Sequence, residues 1–129
     1  MAQKRSSIYV EGFAHRNPVP AACRIGNLVY SGGIHGLDPE TGKTAEGMER
    51  QCELMFAHVR TIAAAAGATP DDIVKMTLWM KDRSQRDLVN PHWEALFPDP
   101  NNRPTRHALK ADLENGMLIQ CDFIAILDD

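Results

Sequence analysis

A single amphipathic helix near the middle of the chain constrains the possible folds more than any other feature. Between positions 48 and 66, apolar residues recur at the spacing of three and four that places them on one helix face. They are Met48, Cys52, Met55, Phe56, Val59, Ile62, Ala63 and Ala66. Thr44 is suited to cap the helix start, and Gly67 is typical of the residue after a helix end. Such a helix is stable only when its apolar face packs on a second layer.

Strand patterns flank this helix on both sides. In chain order they predict strands from Ala21 to Ile25, Leu28 to Ser31, Ile73 to Lys81, Ala108 to Ala111 and Met117 to Leu127. Gly26 and Asn27 separate the first two strands, which is typical of a tight hairpin. Ser84-Gln85-Arg86-Asp87 predicts a capping box, and Asn90 and Pro91 predict an N-cap and first helical position at which a helix restarts and continues through Phe97.

The resulting order, β–β–α–β–α–β–β, predicts a single α+β domain over residues 1–129, in which a mixed sheet carries both helices on one face. Residues 1–16 are either partly flexible or hold a first short strand within 8–13. The alternation in the third strand places Val74 and Met76 on one face and Trp79 on the other. The sheet face that the helices leave uncovered carries Trp79 and several aliphatic residues, so we expect it to pack on a partner subunit.

The composition excludes several classes of protein. A net charge of −3 and a pI near 5.9 disfavour a nucleic-acid-binding protein. The three cysteines are widely spaced and the five histidines do not fall at metal-ligand spacing, so neither disulfides nor a metal site are expected. His58, on the long helix, is predicted to lie at the surface or on a helix face. No apolar run is long enough for a membrane span or a secretory signal, and we expect a cytoplasmic protein.

The most informative polar residue is Arg106, in the segment Arg103-Pro104-Thr105-Arg106-His107 that leads into a predicted strand. A guanidinium binds a carboxylate through two parallel hydrogen bonds and so fixes a small acid in one orientation. The alternative is a structural ion pair with Asp112 or Asp122. Both possibilities are open from the residues alone.

Other candidate residues have a chemical and a structural interpretation each. Gln120 lies in the last strand among apolar residues, and its amide either holds a water or substrate amine or bonds to neighbouring backbone. His107 is either a base or an exposed residue, and Trp93 either walls a pocket or packs in the helix layer. The glycines of Ser31-Gly32-Gly33 permit positive φ and close approach of a ligand, or mark a bulge.

Taken together, these stretches resemble the YjgF/RidA family, the reactive intermediate deaminases. The matching stretches are Ile25-Gly26-Asn27-Leu28-Val29-Tyr30-Ser31-Gly32-Gly33, Asp38-Pro39-Glu40-Thr41-Gly42, Gln51, Ala65-Ala66-Gly67-Ala68, Asp72-Ile73-Val74-Lys75-Met76-Thr77, Val89-Asn90, Trp93-Glu94-Ala95-Leu96-Phe97 and Arg103-Pro104-Thr105-Arg106. Each piece is weak evidence, but the ordered set, over about residues 17 to 127, is specific.

The resemblance implies a chorismate-mutase-like fold and a homotrimer whose sheets close into a barrel, with clefts between subunits and no metal or organic cofactor. In the family an arginine pairs with the substrate carboxylate, and Arg106 matches it. Ser31, Gly32 and Asn90 match residues that line the same cleft. The implied reaction is hydrolysis of small carboxylated enamines, or their imine tautomers, to 2-oxo acids and ammonia.

Three departures from the family pattern bear on that chemistry. Gln120 stands where the deaminases have a glutamate that positions the attacking water, and an amide cannot act as a base. Val19 replaces an aromatic residue of the entry segment, and His107-Ala108 replaces a small thiol-bearing position. The stretch Arg103-Pro104-Thr105-Arg106-His107, with Asn17-Pro18-Val19-Pro20, resembles a divergent branch near the 2-aminomuconate deaminases.

We therefore expect a deaminase of 2-aminoacrylate-like or 2-aminomuconate-like compounds. Arg106 would hold the carboxylate, Gln120 and the backbone near Ser31 and Gly32 would orient the water, and His107 would move a proton. The expected substrate pocket is completed by Val19, Asn90 and Trp93. The alternative is a 2-oxo-acid-binding protein without turnover, which the lost glutamate favours. A ribonuclease or translation inhibitor is disfavoured by the acidic composition.

Overall fold

Two helices lie over one mixed β-sheet in the computed structural model, which describes residues 3–128. The strands are β1 (Ser6–Ile8), β2 (Ala22–Ile25), β3 (Leu28–Ser31), β4 (Ile34–His35), β5 (Leu37–Asp38), β6 (Lys43–Thr44), β7 (Ile73–Met80), β8 (Thr105–Lys110) and β9 (Ile119–Ile126). The α-helices are α1 (Met48–Ala65) and α2 (Arg86–Leu96), and short 3-10 turns at Pro70–Asp72 and Arg83–Gln85 precede β7 and α2.

The strand order in the main sheet is β1-β2-β3-β9-β7-β8, and β4 pairs with β9 beyond the end of β3. Strands β7 and β8 are parallel, and the other pairs are antiparallel. Strands β5 and β6 form a separate small hairpin. The predicted α+β class, with a mixed sheet and two helices, is confirmed. The strands β4, β5 and β6 were not predicted, because a two-residue strand has no alternation to detect.

Strand β9 lies between β3 and β7, and its alternation divides the sheet into two faces. The side chains on one face are at most 1% exposed and belong to the same core as α1 and α2; they are Ile119, Cys121, Phe123 and Ala125. Gln120 and Asp122 point to the other side, which we call the open face. On it the exposed fractions of Leu28, Tyr30 and Ile126 are 39%, 53% and 47%.

The alternation in β7 departs from the prediction at one residue. Val74 is predicted to point toward the helices, but its side chain is 47% exposed and Ile73 is buried instead. The pairing with β9 shifts between Ile73 and Lys75, and a bulge of this kind changes the face of the residue beside it. From Met76 onward the predicted alternation is confirmed, with alternate residues fully buried.

The ends of α1 show one correct and one wrong prediction. Gly67 has a φ of +86°, and its N–H and that of the next residue donate to carbonyls in the last turn of the helix. This is the conformation that a helix-terminating glycine permits. The predicted cap Thr44 instead belongs to β6, and Gly47 is the residue directly before α1.

Helix α2 begins at Arg86, inside the predicted capping-box segment and about one turn before the predicted restart at Asn90, and Gln85 before it makes no side-chain capping bond. Asn90 is therefore inside the helix and does not cap it, and Pro91 is also internal. Proline lacks an N–H, so the carbonyl of Asp87 loses its usual helical donor. Asp82 caps the preceding 3-10 turn by accepting a hydrogen bond from the Ser84 N–H. The side chain of Asn90 thus has no capping role.

The first strand also lies earlier than predicted. Strand β1 pairs with β2, whereas Val10 and Phe13 form only an isolated bridge within the predicted 8–13 strand. Phe13 is 1% exposed and anchors the segment that follows it in the core.

Some features are absent from the described residues, 3–128. In that range, neither helix has the length and apolar character that crossing a bilayer requires. No three histidine, cysteine, aspartate or glutamate side chains of this range are grouped so that they could hold a metal ion. All three cysteines are free thiols; Cys52 and Cys121 are buried and Cys23 is partly exposed.

A buried amide on α1 joins the helix to two distant segments. Gln51 is 1% exposed; its Nε2 donates to the carbonyls of Ala45 (2.8 Å) and Gly116 (2.9 Å), and its Oε1 accepts from the N–H of Leu118 (2.8 Å). Both amide hydrogens and the oxygen are satisfied, as burial requires. Gly36 lies against the same turn of α1, and a Cβ there would be 2.5 Å from the Gln51 Cα. Only glycine allows this approach.

We expect Gly36→Ala to lower the free energy of unfolding by about 1–3 kcal/mol, because a helix backbone cannot rotate away from an added methyl group. Gly32→Ala is the matched control, since a Cβ there would have no neighbour closer than 3.5 Å. Denaturant unfolding of both variants measures the difference. Equal stabilities would contradict the packing of Gly36 against α1.

Candidate active site

The predicted site residues fall into two groups on opposite sides of the sheet. Arg106, Trp93 and Asn90 lie on the helix side, where β8 runs beside α2, and we call them the arginine cluster. Gln120 lies on the open face and borders a cavity, which we call the glutamine cavity. His107 belongs to neither group.

The arginine cluster is organised by the edge strand β8. Arg106 is opposite the fully buried Met76 of β7, so its side chain extends on the helix side of the sheet. The Arg106 Cζ lies 5.0 Å from the ring centre of Trp93, within cation–π range. Trp93 is 8% exposed and packs edge-on against Phe97, with ring centres 4.7 Å apart. Asn90 lies three residues before Trp93 on α2, so it is a neighbour on the same side.

Arg106 carries a charge that the described part of the chain does not neutralise. Among residues 3–128 its guanidinium makes neither a hydrogen bond nor an ion pair. Asp122, a partner considered from the sequence, instead accepts a hydrogen bond from the Trp79 indole at 2.8 Å. Burial, and then the positive charge of Arg86, lower the pKa of Arg106, but an arginine remains protonated. A half-buried, uncompensated guanidinium is suited to bind an anion.

Ser31 and Gly32 are engaged in internal hydrogen bonds. The Ser31 Oγ donates to the Gly32 carbonyl (2.8 Å) and accepts from the Phe123 N–H (2.8 Å). The Gly32 N–H donates to the carbonyl of Ala21 (2.8 Å). These bonds hold the chain where β3 ends and β4 takes over the pairing with β9. Gly33 lines the glutamine cavity, whereas Ser31 and Gly32 lie just outside it.

The glutamine cavity has a volume of about 1000 Å³. Gly33 and Gln120 adjoin at its wall so closely that a Cβ on Gly33 would overlap the Gln120 Nε2. Neither Gly32 nor Gly33 has a positive φ, so this glycine is required for space and not for an unusual conformation. The other walls come from residues 12–17, the β5–β6 hairpin and residues 115–117. Arg16 and Lys43 line the cavity, and within residues 3–128 no aspartate or glutamate does.

Three histidines surround Phe13 at one side of this cavity. The ring centres of His15, His35 and His58 lie 5.3, 5.4 and 4.9 Å from that of Phe13. The Nε2 of His58 donates to the Leu37 carbonyl at 2.7 Å, and His58 is 7% exposed, so a surface position for it is wrong. Burial, together with the other two histidines, lowers the pKa of His35 to about 4. His35 is therefore neutral at neutral pH.

The two groups cannot act on one small molecule within a single chain. Across the sheet, Arg106 of β8 is level with Met76 of β7 and Phe123 of β9. Gln120 also belongs to β9, two strands from β8, and lies three residues along that strand from Phe123, where it pairs with Trp79. From strand spacing and rise per residue, the Cα atoms of Arg106 and Gln120 are about 14 Å apart. Their side chains also point to opposite faces.

The remaining predicted residues lie apart from both groups. His107 follows Arg106 along β8 and is exposed on the open face, and Val19 is 47% exposed in the entry segment. The sequence reasoning missed His35, which β4 places directly opposite Gln120. The available signal was a histidine two residues after the paired glycines that end the second hairpin strand.

Comparison with known proteins relates this arrangement to a family. The family model described as Endoribonuclease L-PSP matches residues 11–127. A relative named 2-iminobutanoate/2-iminopropanoate deaminase, from Salmonella typhimurium, is 34% identical over 104 residues, which are 79% of this chain and 81% of that protein.

Solved structures agree with the sequence comparison. RidA from an Antarctic Psychrobacter species has a TM-score of 0.87 and 29% identity, covering 95% of this chain and 99% of that one. The YjgF gene product of E. coli has a TM-score of 0.84 and 28% identity, covering 94% and 98%. The fold is thus the chorismate-mutase-like fold of these proteins, as predicted. The chain belongs to the Endoribonuclease L-PSP family, which is the YjgF/RidA family.

Proposed function

We propose that this protein hydrolyses small carboxylated imines, or the enamines that tautomerise to them, to 2-oxo acids and ammonia. The observation that carries the proposal is the guanidinium of Arg106, half-buried on Trp93 and without a partner among residues 3–128. An anion of the size of a carboxylate fits the fork of an arginine with two hydrogen bonds. The deaminase name of the Salmonella relative supports the same reaction.

The proposed reaction needs orientation more than it needs a strong catalyst. Arg106 binds the carboxylate, and the carbon of the adjacent protonated C=N bond is already electrophilic. Water adds to that carbon, and the resulting amino alcohol loses ammonia to leave the 2-oxo acid. Gln120 donates or accepts a hydrogen bond that directs the water. Holding the two reactants in position contributes on the order of 7 kcal/mol in favourable cases.

The separation of Arg106 from Gln120 leads us to propose that the site is shared between subunits. A second copy that contributes its arginine cluster to the glutamine cavity of the first would bring the two groups together. The open face supplies an apolar surface for such assembly, because Leu28 pairs with Ile126 and Tyr30 pairs with Ile124 across β3 and β9. We propose a homotrimer in which these faces meet as a barrel.

The lining of the glutamine cavity favours an acidic substrate larger than a three-carbon acid. Arg16 and Lys43 supply positive charge and, of the described residues, no carboxylate opposes it. With Arg106 on the first carboxylate, either cation can bind a second one. We therefore propose a dicarboxylate of the 2-aminomuconate type as the better substrate and a 2-aminoacrylate-like compound as the poorer one.

Two other functions are weighed against this one. Gln120 cannot accept a proton, which favours a protein that binds 2-oxo acids without turnover. Calorimetry with pyruvate, run beside an ammonia assay, separates the two: binding with no ammonia release would support the binding protein. The family description names an endoribonuclease. The net charge of −3 disfavours that activity for this chain.

We expect Arg106→Ala, and also Arg106→Lys, to lower kcat/KM for deamination at least about 30-fold, since neither side chain provides the two-pronged contact to a carboxylate. The substrate is generated in situ and ammonia release is followed. Arg83→Ala removes an exposed arginine outside the cluster and should leave the rate unchanged. Wild-type protein that releases no more ammonia than buffer, or Arg106 variants equal to wild type, would refute the proposal.

The proposed assembly predicts that Ile126→Lys yields monomers, because it introduces a charge into the apolar patch of the open face. Size-exclusion chromatography with light scattering measures the mass of each variant. Thr61→Lys, on the exposed side of α1, is the matched control and should keep the wild-type mass. A monomeric wild-type protein, or a variant that keeps the wild-type mass, would argue against assembly through this face.

A further inference from the structure

His35 is placed beside Gln120 by the pairing of β4 with β9. The two residues are directly opposite each other in this antiparallel pair, so their Cβ atoms are about 5 Å apart and on the same face. Both line the glutamine cavity. The residue before His35, Ile34, is fully buried on the helix side, which fixes the direction of the His35 side chain toward the open face.

Few side chains of the cavity can accept a proton from water. Its described lining holds two cations, Arg16 and Lys43, and two histidines, besides the side-chain amides of Asn17, Asn115 and Gln120, which are not bases. His15 is the weaker candidate, because it lies outside the strands with its Nε2 beside Gly32, and within residues 3–128 it is His35 that strand pairing places opposite Gln120. His35 is thus the group that combines basicity with a position next to the amide.

The surroundings of His35 keep its imidazole neutral and therefore ready to accept a proton. The titratable and charged groups that face it are His15 from the entry segment, His58 from α1, and the cavity cations Arg16 and Lys43. All of these are neutral or positive, so protonated His35 finds no counter-ion among the described residues. Phe13 packs against the ring and holds it in place.

We propose that His35 accepts the proton of the water that attacks the substrate, while Gln120 orients that water. This inference rests on the proposed deaminase function and names the base that the function lacks. As the water oxygen bonds to the imine carbon, the π electrons of the C=N bond move to nitrogen, which is already protonated as an iminium, and the water proton passes to His35. Protonated His35 then returns that proton to the amine nitrogen. As the C–N bond breaks and ammonia leaves, the C=O bond of the 2-oxo acid forms, and the hydroxyl proton passes through the again neutral His35 to the departing ammonia, which leaves as ammonium.

The test compares His35→Ala and His35→Gln with wild type in the ammonia-release assay. A general base contributes about 100-fold or more, so we expect kcat to fall at least about 100-fold in both variants while KM changes less than about threefold. His35→Gln preserves size and polarity and guards against loss of the fold, which thermal unfolding also monitors. His92→Gln, a histidine that stacks on Phe56 outside the cavity, should retain wild-type kcat.

Two further readouts distinguish a base from a residue that only shapes the cavity. In the double variant His35→Ala/Gln120→Glu, a carboxylate stands beside the position that the imidazole has vacated. We expect its kcat to be at least about tenfold higher than that of His35→Ala alone. The wild-type kcat should stay level near neutral pH and fall only as the pH drops toward the His35 pKa of about 4.

The possible outcomes separate this inference from the function on which it depends. If wild type deaminates its substrate but His35→Ala and His35→Gln retain its kcat, the inference is wrong and the proposed function stands. The inference is also wrong if His107→Ala abolishes turnover while both His35 variants remain active. A wild-type protein without any deaminase activity refutes the proposed function and this inference together.

Discussion

The alternation of side chains along β9 determines both the core and the location of the chemistry. β9 is paired on both sides over its length, by β3 and β4 on one edge and β7 on the other, so it cannot slip by one residue without reversing its faces. One face supplies fully buried residues to the helix layer. The same register then requires that Gln120 point away from the helices, toward the open face. Packing of the core residues of β9 thereby determines the direction of the Gln120 side chain, which lies outside the core.

The arginine cluster and the glutamine cavity differ in the charge of their main titratable side chain. Arg106 keeps its charge although it is half-buried, because a guanidinium stays protonated in proteins. It rests on the Trp93 ring, and no carboxylate of the described residues pairs with it. His35 loses its charge, because burial and the nearby His15 and His58 disfavour its protonated form. One group is therefore prepared for a substrate anion and the other for a proton. A substrate that spans both would meet a positive end and a neutral, basic end.

The long helix and strands, and Arg106 as a candidate site residue, could be predicted from the sequence. The residues that surround each site residue could not. Helix α1, the β2–β3 hairpin and β9 carry enough periodic residues to be predicted, and Gly67 was identified because a helix end favours glycine. Asn90 was misassigned because a proline after asparagine imitates a helix start, while Asp82 and a 3-10 turn begin the helix earlier. His35 was missed because β4 has two residues, too few to show a period. Its pairing with Gln120 of β9 depends on tertiary packing, since the next residue, Gly36, must fit against Gln51 of α1.

The central claim is that the arginine cluster of one subunit and the glutamine cavity of another form one site, and hetero-oligomers test it most directly. Arg106→Ala disables the first group, and a His35→Ala/Gln120→Ala double variant disables the second. Differently tagged copies of the two are co-expressed, and oligomers carrying both tags are isolated and assayed for ammonia release. The account predicts that each parent is inactive and that the isolated mixed trimers regain about a third of wild-type activity, because one of the three sites in each mixed trimer receives both intact groups. Mixed oligomers as inactive as their parents, beside an active wild type, would contradict it.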